Sequence, residues 1–152
     1  MVYYTDDIHG EATKILNFIS RFQIKQDDMI VILGDAGFNY YGDSRDKNLK
    51  QQLNEQGVPI LSIHGNHEMR PHSLPYYAET EWRGGVVYKE KTFPNLLFAK
   101  DGEIFNLDGM QTIGIGGAYS VDKYYRLQHG LRWFADEQPS QERRLESMLR
   151  RC

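Results

Sequence analysis

The first 65 residues alternate continuous apolar runs with amphipathic stretches, and few folds accept that order. Val2, Tyr3, Tyr4 and Thr5 open the chain as a β-prone run. In "EATKILNFISRFQI" (11–24), Ala12, Ile15, Leu16, Ile19 and Phe22 recur at helical spacing and predict one apolar stripe. "MIVILGD" (29–35) is a strand without polar alternation. "DSRDKNLKQQLNEQG" (43–57) is mostly polar, with Leu49 and Leu53 four apart and Gly57 as a helix stop. "VPILSIHG" (58–65) is a third strand. Strands that carry apolar runs suit a parallel sheet covered on both faces. The prediction is therefore β-α-β-α-β, and in such sheets ligands sit beyond the carboxyl ends of the strands.

The second half reads differently. "GVVYKE", "NLLFAKDGEIFNLDG" and "MQTIGIGG" predict short strands joined by tight turns, with "KDGE" as a hairpin signal. "YSVDKYYRLQHGLRWF" (119–134) is partly helical by pattern, and "PSQERRLESMLRR" (139–151) reads as a helix. At 152 residues the chain is expected to form a single domain, 1–152, of the α/β class. The net charge of −3, with mixed signs, argues against a duplex-DNA footprint, although nucleic acid is not excluded as a substrate. The one cysteine, Cys152, rules out an internal disulfide and a thiolate metal cluster. "MIVIL" is too short to span a bilayer and no basic-then-apolar leader opens the chain, so the expected location is the cytoplasm, with no membrane partner.

Polar residues collect at the three predicted strand ends. Asp7 and His9 follow the first, Asp35 ends the second, and Asn66 and His67 follow the third. A parallel sheet brings all five to one rim. Carboxylate, imidazole and amide oxygen suit hard and borderline divalent cations. In a strand, residues two apart point the same way, so the spacing Asp7-x-His9 hands two ligands to one ion. Asp35 is placed to bridge two ions, and His67 to stand near a leaving oxygen as proton donor. Taken singly, each of these is an ordinary turn residue, since Asp, Asn and Gly cap turns and helix starts.

"DIHG" (7–10), "GD" (34–35) and "GNHE" (65–68), in that order and spacing, resemble the first three motifs of the calcineurin-like metallophosphoesterases. The resemblance covers roughly residues 1–120, with "GGAYSVD" and "WFADEQPS" also similar to bacterial members. It implies a four-layer α/β-β/α sandwich, two divalent metal ions (manganese, iron or zinc) and hydrolysis of a phosphoester substrate by a bridging hydroxide. By position, Asp7 and His9 match ligands of the first metal, Asp35 the bridging ligand, Asn66 a ligand of the second, and His67 the histidine that serves the leaving group.

Three departures qualify the match. The family's last two motifs, which supply histidines, are expected beyond residue 152, so the chain reads as C-terminally truncated, with later strands missing. An open sheet edge would then leave a fragment, a homodimer, or a chain that needs a second polypeptide. Phe38 stands where the second motif carries an aspartate that orients the histidine, and Asn39 and Asp43 are the nearby substitutes. Asp6 replaces a common glycine and is expected to be exposed. Arg70 and Arg83 are candidates for neutralising a substrate phosphate, and the tyrosine pairs at 40–41, 76–77 and 124–125 for stacking on a base or aryl ester. "GIGG" (114–117) reads as a strand end whose glycines admit a close backbone. The alternative to an enzyme is a non-catalytic module that binds a metal or a partner without turnover.

Overall fold

The computed structural model describes residues 1–142 and residue 149. The predicted βαβαβ portion is present: β1 (Val2–Thr5), α1 (Ala12–Phe22), β2 (Met29–Leu33), α2 (Ser44–Asn54) and β3 (Ile60–Ile63). After a 3-10 turn at Pro71–Ser73 come β4 (Tyr77–Trp82), β5 (Gly85–Glu90), β6 (Leu96–Ala99), β7 (Ile104–Leu107), β8 (Met110–Ile113) and α3 (Lys123–Gln128). One sheet runs in the order β1-β2-β3-β6-β5-β4. Its β1, β2, β3 and β6 are parallel, and β5 and β4 complete it antiparallel. The second sheet is the β7–β8 ribbon.

The two faces of the large sheet are filled by alternate residues of the same strands. Ile30 and Ile32 of β2, Ile60 of β3, and Leu96 and Phe98 of β6 pack with Ala12, Ile15 and Ile19 of α1 and Leu49 and Leu53 of α2. Met29, Val31, Leu61, Leu97 and Ala99 face the other way, onto Phe105 and Leu107 of the ribbon. Helix, sheet, sheet is the layer succession of the expected α/β class, and continuous apolar strands are what two covered faces require.

Two expectations need correction. Phe22 is exposed, because the α1 stripe closes at Ile19, and its ring lies against Phe18. "KDGE" makes a turn but no hairpin: β6 stays in the large sheet and β7 leaves for the ribbon. The hairpin turns are at Arg83-Gly84 and Asp108-Gly109, all four with positive φ as a two-residue turn demands. The helix expected over 139–151 lies, after its first residues, outside the described residues. Upstream of that last segment, Trp133 Nε1 donates to Glu137 Oε2 and Phe134 meets Tyr40. No helix among the described residues is long and apolar enough to cross a membrane.

Candidate metal centre

The parallel strands end on one rim, and the loops that follow carry the predicted cluster. Asp7, His9 and Asp35 each present a ligand atom within 4.8 Å of the others. They are not brought together by strand alternation, as the sequence suggested. β1 ends at Thr5, and His9 sits in the loop at φ 46. Its backbone N–H donates to Asp35 O at 2.8 Å, and Gly10 N–H to Ala36 O at 3.1 Å. The first loop is thus tied to the second through backbone. Asp35 is also left-handed, at φ 42. Two non-glycine residues held in this region at one site is strain of the kind that functional loops store.

The third loop closes on Asp35. The N–H of His67 donates to Asp35 Oδ1 at 2.8 Å. A side chain on Gly65 would place its Cβ 1.8 Å from that oxygen, so this approach requires glycine. Asn66 lines a cleft with Asp7 and Asp35. Its Nδ2 donates to Ser120 Oγ at 2.8 Å, which fixes the amide and leaves Oδ1 as the atom with lone pairs to offer. The ring of His67 lies 6.0 Å from that of His9, and burial pulls its pKa below the ordinary imidazole value. Nε2 of His67 accepts from Asn66 Nδ2 at 3.3 Å and Arg126 Nη2 at 3.4 Å. With two donors on that nitrogen, the lone pair sits at Nε2. Behind the loop, Glu68 is fully buried and receives the N–H groups of Ala36 and Phe38 at 3.3 and 3.1 Å. Burial first, and then the charge of Asp35, pushes its pKa up to about 8.

The donor set fits a divalent cation: two carboxylates and an imidazole within reach of one point, with the Asn66 amide lining the same cleft as Asp7 and Asp35. The other histidines are engaged elsewhere. His64 is buried against Glu68 O at 3.1 Å, His72 lies near Tyr88, and His129 stacks on Tyr125 at 4.0 Å.

The substitutes proposed for the missing aspartate do not reach His67. Phe38 is wholly buried with its ring on Phe98, Asn39 accepts from Tyr77 O–H, and Asp43 caps α2 through Arg45 N–H. Arg70 is buried, paired with Asp101 and bonded to Asp136 O, and Arg83 lies over Trp82 in the β4–β5 turn. Neither lines the cavity beside the cluster. Asp6 is exposed, as expected. "GIGG" behaves as read: a Cβ on Gly116 would lie 2.4 Å from His64 O.

Sequence reasoning missed Arg126, Ser120 and Glu137. Arg126 lines the cavity with His9, Asp35 and His67. Glu137 accepts from Ser120 N–H at 3.2 Å and from Trp133, which braces the hydroxyl that holds Asn66. Both contacts to the GNHE loop span more than fifty residues, and only the familiar look of "GGAYSVD" and "WFADEQPS" hinted at them.

No curated protein matches the chain closely enough to serve as a relative. A family model described as calcineurin-like phosphoesterase matches residues 7–148, which takes in the three loops and the Ser120–Glu137 brace. The chain therefore belongs to the calcineurin-like phosphoesterase family.

Proposed function

We propose that the chain hydrolyses phosphoesters at this rim with two divalent cations, Asp7, His9 and Asp35 holding one and Asp35 with Asn66 the other. The observation that carries the reading is the convergence of Asp7, His9 and Asp35 from two loops, with His67 anchored on the same carboxylate. Bound cations supply a Lewis acid for phosphoryl oxygens and an easily deprotonated water. The chain's own residues do the rest. Asp35 fixes the position of His67 through the backbone. His67 lines the cavity and, when protonated, gives its proton to the leaving oxygen. Ser120, braced by Glu137, holds the Asn66 amide in one orientation through its Nδ2.

A non-catalytic, cation-binding module is the second reading. It is favoured by the placement of His64, His72 and His129, none of which joins the cluster. The test is hydrolysis of p-nitrophenyl phosphate and its bis-ester with added manganese. The enzyme reading expects manganese-dependent turnover that falls about 100-fold or more in His67→Ala. Absence of such turnover, or indifference to the substitution, leaves the binding module.

A further inference from the structure

The cavity beside the cluster has about 380 Å³, within the range of small-molecule sites and larger than a phosphoryl group needs. Its lining includes Tyr40, Tyr41 and Leu49. Its floor is backbone: a Cβ on Gly37 would lie 2.5 Å from Gly10 N, so the two loops meet without side chains between them. We propose that this cavity is the ester-group subsite and takes a planar aromatic phosphomonoester, aryl or nucleoside, with Arg126 on the phosphoryl oxygens. The inference rests on the phosphoesterase reading above and names its substrate class.

The aromatic wall is held in place at some cost. Asp46, buried on α2, receives the N–H of Tyr41 at 2.9 and 3.0 Å and that of Gly42 at 2.6 Å. Arg132 donates to Tyr40 O at 3.0 Å. A buried carboxylate and a guanidinium thus order a turn that presents two tyrosine rings to the cavity, and preorganised rings lose little entropy on binding. Arg45 lies 3.4 Å over the centroid of Tyr41 while paired with Asp43. The Tyr40 and Tyr41 rings meet edge to face, at 83° with centroids 4.7 Å apart, and the guanidinium covers one face of Tyr41, so Tyr40 is the ring left to stack on a planar guest.

Arg126 supplies the anion contact. Its Nε donates to Asp122 Oδ2 at 2.7 Å and its Nη1 to Arg132 O at 3.2 Å, which aims Nη2 at His67. With Nε and Nη1 tied within the fold, Nη2 is held beside His67 and has a second N–H to offer a phosphoryl oxygen next to that ring.

Phosphonates test this without turnover. Calorimetry on the manganese-loaded chain should find phenylphosphonate bound about five- to tenfold more tightly than methylphosphonate. Tyr40→Phe should keep that ratio and Tyr40→Leu should collapse it toward one. Arg126→Ala, and Arg126→Lys to a similar degree, should weaken both ligands about tenfold or more, because lysine keeps the charge but loses the Nε and Nη1 anchors that aim the third nitrogen. Turnover of phenyl phosphate against a 5′-nucleotide then separates the two kinds of ring, and a preference for either over glycerol phosphate supports the subsite. Equal affinity for the two phosphonates in the wild type, or affinity indifferent to Arg126, overturns it. The two proposals separate: turnover without aromatic preference removes the subsite alone, and aromatic preference without turnover removes the hydrolase alone.

Discussion

At the scale of single residues, the site depends on groups that have no chemistry of their own. Gly65 is the clearest case, since any side chain there meets Asp35 Oδ1 and its backbone N. Gly65→Ala should lower manganese affinity tenfold or more while leaving the helix content intact, as titration with far-UV circular dichroism alongside would show. His64 makes a pH prediction. It is buried neutral, with Nε2–H donating to Glu68 O, and burial followed by the nearby Arg70 charge holds its pKa down to about 3. The unfolded chain binds that proton below its ordinary 6.5, so this residue costs stability as pH falls from 6.5 toward 3, by at most about 1.4 kcal/mol per unit. Glu68, raised, acts with the opposite sign between 4.5 and 8, so the two offset each other where they overlap. The difference between wild type and His64→Gln isolates the histidine. In chelator, the melting temperature of the variant should gain on the wild type as pH drops below 6.5, and parallel profiles would contradict the assignment.

At the scale of elements, legibility followed burial. β2 and β3 could be read because both their faces are covered, and α1 because Ala12, Ile15 and Ile19 keep helical spacing. β4 was missed because most of its side chains are exposed and, among the described residues, it pairs only with β5. α2 is polar by composition, yet it buries Lys50 almost completely. Lys50 Nζ meets Glu90 Oε2 of β5 at 2.7 Å, among the rings of Tyr76, Tyr77 and Phe93. The pair joins helix to sheet across forty residues of sequence, which no local pattern reports. Lys50→Met leaves Glu90 buried and uncompensated and should cost about 3–5 kcal/mol in urea denaturation. The double variant Lys50→Met, Glu90→Leu should recover most of that loss, because an apolar pair avoids the desolvation of both charges.

At the scale of the whole molecule, the parallel order of β1, β2 and β3 converts three distant loops into one rim. That is why Asp7, His9, Asp35, Asn66 and His67 were visible in the sequence: the topology was legible, and each loop follows a strand. What was not visible came from segments that return over the rim after β8, Ser120, Arg126 and Glu137, whose partners lie in the early loops and whose own neighbours in sequence carry no periodic signal. The homodimer expected from an open sheet edge is carried forward as a proposal, to be settled by sedimentation. The central claim is that the rim binds cations through Asp35. Manganese titration of the metal-free chain by calorimetry, wild type beside Asp35→Asn, tests it most directly. Saturable binding in the wild type, lost or weakened at least about tenfold in the variant, is the predicted result. Absence of binding in the wild type, or equal binding in both proteins, would contradict it.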